Sequence, residues 1–274
     1  MFPGVRTASI GEAEKDMRVC VVGGTGMVGR LVVSALRHAG HDAVVIARST
    51  GVDVASGAGL DAALAGAEAV IDVTNEHATD AESSRAAFGV LTTNLLAAEQ
   101  RAGVRHHVLL SIVSAPRLPH VPHYAGKLRQ EELVRQSPVP YSIQRTTQFH
   151  EFAGQMAGWS RHQGVVTLPP LLLQPVAAAD VADVLVEVAV GAPQCAARDF
   201  AGPETHDLVD MARRTLEARG DHTPIRASWR NGAFGADAGG EVFLADGNAR
   251  LGPTTFDQWL VTERLRAQSP IASS

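Results

Sequence analysis

The chain has 274 residues, 45% of them hydrophobic and 19% charged, with a formal net charge of −5. That composition is globular and supports a sizeable buried core, which excludes a disordered chain. No run of Lys and Arg appears, and this excludes nucleic acid as the main partner because phosphate contacts need a basic patch.

Residues 1–16, "MFPGVRTASIGEAEKD", lack the apolar run of a signal peptide and read as a disordered extension upstream of the fold. No stretch reaches the ~18 uninterrupted apolar residues of a membrane helix. The best candidate, "TLPPLLLQPVAAA", is broken by three prolines. Two cysteines, Cys20 and Cys195, are too few for a disulfide framework, so a reducing cytoplasm is the expected compartment.

"RVCVVGG" (18–24) is a β-branched run ending in glycines and predicts a buried strand. Apolar residues from Val28 to Ala39 fall at helical spacing, and Gly40 supplies the stop. Strands are predicted at 42–48, 52–54 and 69–75, with a short helix over 60–66. A longer helix covers 83–103, a strand 106–113, a helix about 120–136, a strand 141–147 and a helix 177–190. Alternation at this spacing implies parallel β-α-β units with helices on both faces of one sheet, a doubly wound α/β fold. From about 198 the elements shorten, ending at "TTFDQWL" (254–260), which predicts a small C-terminal lobe. The expected layout is one domain over 17–262, its substrate lobe drawn mainly from 150–175 and 198–262, and a frayed tail over 263–274.

"VVGGTGMVGR" places Gly23, Gly26 and Gly29 between a buried strand and an amphipathic helix. That context makes the loop a dinucleotide phosphate site. Gly23 permits the turn, Gly26 lets the backbone approach a pyrophosphate, and Gly29 lets helix and strand pack closely. Thr25, Met27 and Val28 complete the loop and the helix start that faces the phosphate charge. At the end of the second strand, where an acid would hold the ribose of NAD, the chain has Arg48, Ser49 and Thr50. A guanidinium and hydroxyls suit a 2′-phosphate, so NADP is the expected cofactor, although an exposed arginine at a strand end is also common.

"RVCVVGGTGMVGR", "AVIDVTN", "HHVLLSIV", "KLRQEELV", "TTQFHEF" and "DFAGPET" together resemble atypical short-chain dehydrogenases/reductases of the NmrA-like group, over about Met17 to Leu260. The resemblance implies a Rossmann fold with Asp53 and Val54 near the adenine. It implies Thr74, Asn75 and Ser111 along the nicotinamide-side ribose and Gln148 and Phe149 near the nicotinamide. His150 and Glu151 would face the substrate. Ser111 and Ser114 could orient a substrate oxygen.

The chemistry would centre on "HYAGK" (123–127). Short-chain reductases use a tyrosine to protonate a carbonyl oxygen while hydride arrives, with a lysine one turn on. Relatives in this group often carry two tyrosines before Arg-Ala-Lys. Here His123 stands four residues before Lys127 and Tyr124 three before. These flank the lysine at about 40° and 60° around the helix. Gly126 costs the helix about 1 kcal/mol relative to Ala.

Three readings follow: His123 replaces the tyrosine as acid, Tyr124 does the ordinary job, or the site binds NADP without redox turnover. The first two belong to an NADPH-dependent reductase of a small carbonyl, enone or quinone-like compound, and the third to an NADP-sensing regulator or to a non-redox isomerase, cyclase or dehydratase. His120 and His123 have metal-like spacing, but no cysteine or carboxylate cluster completes a site, so no metal is expected.

Overall fold

Val19–Val22 are β-branched or small and buried on both sides, which a strand achieves only in the middle of a covered sheet. The computed structural model describes residues 16–76, 78–230, 234 and 236–268. Of the expected N-terminal extension only Asp16 is described, and residues 269–274 of the expected tail also lie outside it.

The first half runs β1 (Arg18–Val22), α1 (Met27–His38), β2 (Asp42–Ile46), α2 (Leu60–Ala63), β3 (Ala69–Asp72), α3 (Ala81–Ala102), β4 (His106–Ile112), α4 (Pro122–Gln136) and β5 (Tyr141–Thr146). There follow α5 (Phe152–Trp159), β6 (Arg161–His162), β7 (Val165–Leu168), β8 (Leu172–Leu173), α6 (Ala178–Val190) and β9 (Ala197–Ala201). The chain continues with β10 (His206–Asp207), α7 (Leu208–Ala218), β11 (Ile225–Ala227), β12 (Arg250–Leu251) and α8 (Phe256–Gln268).

The main sheet has the order β12-β9-β5-β4-β3-β1-β2, and every pairing in it is parallel. From β1 the chain goes first to β2 on one side and then to β3 on the other. The strand order therefore reverses between β1 and β3, and a crevice opens there at the strand carboxyl ends. Val19 and Val21 face α1 and α6, and Cys20 and Val22 face α2 and α3.

A second core joins α5, α7 and α8 with β7 and β8, and reaches Leu118 and Tyr124 from the main domain. It carries the small sheet β11-β7-β6 and the pair β10-β8.

Three details differ from the sequence expectation. Residues 52–54 form no strand, only the bridge Asp53↔Ala58, because the short loop turns back on itself before it can pair with the sheet. Residues 197–201 and 250–251, expected in the lobe, extend the main sheet beside β5. The last element, expected to end near 260, is a helix that continues to Gln268 into the segment expected to fray, with Glu263 paired to Arg219 and Arg266.

Candidate functional site

The glycine loop connects β1 to α1 at the crevice. Gly23 has φ +81°, and a Cβ there would lie 3.0 Å from the Val73 carbonyl oxygen. A Cβ on Gly29 would lie 2.2 Å from the Gly23 oxygen, so helix and loop touch backbone to backbone. At Gly26 a Cβ would meet only the Gly23 oxygen, at 3.2 Å, and the front of the loop is otherwise open. Gly26 is also the N-cap of α1 and makes no side-chain cap. The N–H groups of the first turn, where Met27 and Val28 lie, therefore have no competing side-chain cap and suit an anion. Thr25 is exposed beside them, its carbonyl accepting from Arg30.

Arg48 and Ser49 are exposed in a 3₁₀ turn directly after β2. The Arg48 carbonyl accepts from the Gly51 N–H, while its guanidinium has no hydrogen bond or ion pair among the described residues. Asp53 feels its charge, but the Asp53 carboxylate is already bound to Ser56 Oγ at 2.8 Å and the Ala55 N–H at 3.0 Å. Val54 is buried next to it, and its carbonyl accepts from Asn94. A free guanidinium and an open glycine cradle on neighbouring strands fit a phosphorylated dinucleotide.

On α4, Lys127 is only 5% exposed. Its Nζ donates to the carbonyls of Thr74 at 2.9 Å and Leu110 at 3.1 Å, at the carboxyl ends of β3 and β4. An ammonium has three donors, so one remains. Burial lowers its pKa to about 8, opposed by the charges of Asp72 and Glu131. Its ammonium sits 5.2 Å from the centre of the Phe88 ring.

His123 packs on that same ring, centroids 5.7 Å apart, so it and Lys127 share the face of α4 that meets α3. Tyr124 turns toward the lobe core and packs near Phe234. It is 6% exposed, and burial pushes its hydroxyl up to about 12, with only the Gln148 amide opposing.

Gly126 has a local reason. A Cβ there would lie 2.1 Å from Phe88 Cδ2 and 2.5 Å from Ser84 Oγ, so the glycine lets α3 and α4 close.

The structure gathers Thr74, Lys127, Tyr124 and Gln148 on the carboxyl side of the sheet. Asn75 is exposed on the loop after β3, and Phe149 is half-buried after β5. Both polar atoms of the Gln148 side chain are buried without a hydrogen bond of good geometry, and so is the Ser114 hydroxyl. Ser111 is buried on the α4 face and donates to Glu131 Oε1 at 2.6 Å. Glu131 also holds Arg145 and Arg135. Burial raises the Glu131 pKa, but the Arg145 and Ser111 bonds outweigh it and hold the group below the usual range.

His150 and Glu151 are not brought into this group. His150 is 0% exposed, its ring against the stacked pair Phe256 and Trp259, and burial lowers its pKa to about 4. Glu151 accepts from the Trp259 indole. His120 pairs with Asp237, and among the described residues no cluster of three metal-ligating side chains occurs.

Asp72, Gln130 and Phe88 contribute to the site without having stood out in the sequence. Asp72 was signalled only as an acid ending the buried run "AVID", and Gln130 only by lying three residues after Lys127.

A parallel sheet with a glycine loop at its switch point defines a Rossmann-like α/β protein. The chain belongs to the NmrA-like family, which it matches over residues 15–189. It is 33% identical over 156 residues to the photosystem II assembly factor Ycf39 of a Synechocystis strain, covering 52% of this chain and 48% of that one. The chain thus spans about half the length of this curated relative.

Among solved structures it is similar to an NADPH-dependent quinone oxidoreductase, QOR2 of Escherichia coli. The TM-score is 0.63 and the identity 16%, with 89% of this chain and 98% of that one covered. MoeE5 in complex with UDP-glucose and NAD gives a TM-score of 0.71 at 17% identity, covering 92% and 100%. At these identities the structures show the fold. Among the described residues no helix is long and apolar enough to cross a membrane.

Proposed function

We propose that this protein is an NADPH-dependent reductase of a small carbonyl, enone or quinone-like compound. The observation that carries the reading is Lys127, a buried ammonium pinned by two strand-end carbonyls, one donor to spare, beside the crevice of the open glycine loop. The NADPH-dependent quinone oxidoreductase among the structural neighbours, and the family itself, support it.

The loop from Gly23 to Gly29 would hold the pyrophosphate and Arg48 with Ser49 the 2′-phosphate. Asp53 and Val54 would flank the adenine, Thr74 and Asn75 the ribose, and Gln148 and Phe149 the nicotinamide. Bound NADPH would supply hydride. Lys127 would give its remaining N–H to a ribose hydroxyl, and the unpartnered Ser114 hydroxyl would meet a substrate oxygen in the lobe domain.

The proton would come from Tyr124 Oη or from the His123 ring. Tyr124 is a standing hydroxyl donor whose anion only the Gln148 amide stabilises. His123 shares the lysine's side of the helix.

That weak stabilisation of the Tyr124 anion favours one second reading, an NADP sensor without turnover. NADPH consumption with a panel of quinones and enones separates the two. Lys127→Ala should reduce turnover sharply. His123→Ala or Tyr124→Phe should lower the rate by ~10²–10⁴, whichever side chain is the acid. Binding of NADPH with no consumption on any acceptor would replace the reductase with the sensor.

A further inference from the structure

The three polar backbone and side-chain groups of Thr74 are all engaged by its surroundings. Its N–H donates to Asp72 Oδ1 at 2.8 Å, its Oγ1 accepts from Gln130 Nε2 at 3.2 Å, and its carbonyl accepts from Lys127 at 2.9 Å. Gln130 Nε2 also donates to Asp72 Oδ2 at 3.1 Å, which closes the set. Asp72 is 1% exposed and Gln130 0%. An acid at that depth is expensive unless its charge is answered, and the lysine anchored to the same threonine answers it. Thr74 therefore contributes to any ligand site through where it holds the chain, and the adjoining Asn75 side chain is the one left exposed.

We infer that Asp72 and Gln130 are positioning residues of the proposed cofactor site, fixing through Thr74 both the ribose loop and the ammonium of Lys127. The inference rests on the cofactor reading above. Asp72 acts as the buried counter-charge and Gln130 as the strut between that carboxylate and the loop. The groups facing Lys127 are Asp72 from β3, Glu131 and His123 from α4, and the uncharged Phe88 ring from α3. Glu131 is already bound by Arg145 and Arg135, which leaves Asp72 as the less neutralised partner.

Lys127 can be watched directly, because the chain has only one other lysine, Lys15. Protein labelled at lysine ¹³Cε and ¹⁵Nζ should show two side-chain signals, one titrating near pH 8. Asp72→Asn preserves the shape and the acceptor for Thr74, and should lower the Lys127 midpoint by about one unit. Gln130→Met keeps the charge and removes the strut. It should leave the midpoint nearly in place and weaken NADPH binding about tenfold, the size of one lost hydrogen bond to a charged network. A purely structural role would lower the melting temperature of both variants while the Lys127 midpoint and NADPH affinity stayed at wild-type values, and that result overturns the inference. Failure of the wild-type chain to bind NADPH would strike the cofactor reading instead, and the midpoint in Asp72→Asn would still decide whether the carboxylate governs the lysine.

Discussion

Gly126→Ala tests the packing beneath the site with a result whose sign is informative. In an ordinary helix the change stabilises by about 1 kcal/mol. Here the new Cβ would sit 2.1 Å from Phe88 Cδ2 and 2.7 Å from Cε2, against ~3.5–4.0 Å for a relaxed carbon contact. Phe88 is fully buried, and its ring lies against both His123 and Lys127, so it has no empty direction in which to move. Overpacking of this kind costs ~1–3 kcal/mol and should exceed the helical gain. The expected net loss is up to about 2 kcal/mol, or up to roughly 8 °C in melting temperature for a chain of this size.

Urea unfolding followed by circular dichroism measures it. The double variant Phe88→Leu/Gly126→Ala should be less destabilised than the sum of the singles, because the smaller side chain makes room for the methyl. A single Gly126→Ala variant more stable than wild type would refute the reasoning, since α3 and α4 would then be too loosely packed to need a glycine.

Gly26→Val should fill the open front of the loop and abolish NADPH binding, seen by fluorescence titration, with the far-ultraviolet spectrum unchanged. Arg48→Ala should weaken NADPH by ~1.5–3 kcal/mol and leave NADH nearly unchanged, and equal losses would deny it a role in reading the 2′-phosphate. His150 titrates near pH 4 when folded and near 6.5 when unfolded. The unfolded chain therefore binds more protons between those values, and stability should fall as pH drops from 6.5 to 4, by on the order of 3 kcal/mol from this group. His150→Leu should flatten that limb in unfolding experiments from pH 7 to 4, and an unchanged slope would place the histidine in water.

The glycine loop was legible in the sequence because its chemistry is local: strand, turn and helix start lie within a dozen residues. The order of the main elements was legible for the same reason, since each is long enough to show its period. Residues 250–251 were not, because a two-residue strand has no period and exists only through its pairing with β9. Gly126 was misread as a helical cost because propensity describes one helix, while its cause is Phe88 on another. His150 resembled a substrate residue by its neighbours in sequence, and only the folded lobe shows Phe256 and Trp259 around it. Asp72, Gln130 and Lys127 converge on Thr74 from two elements more than fifty residues apart, a relation no spacing displays.

The most direct measurement of the proposed activity is hydride transfer itself. Protein is incubated with NADPH carrying deuterium at the reactive nicotinamide carbon and with ketones and enones as acceptors. Their new C–D bond does not exchange with water, and the organic product is analysed by mass spectrometry. With quinones, whose product O–D exchanges, NADPH oxidation is followed instead. The structure predicts one deuterium in the reduced product of at least one ketone or enone, or quinone-dependent NADPH oxidation, strongly reduced by Lys127→Ala. NADPH bound by the wild-type chain with no deuterium transferred to any ketone or enone and no quinone-dependent NADPH oxidation would contradict it.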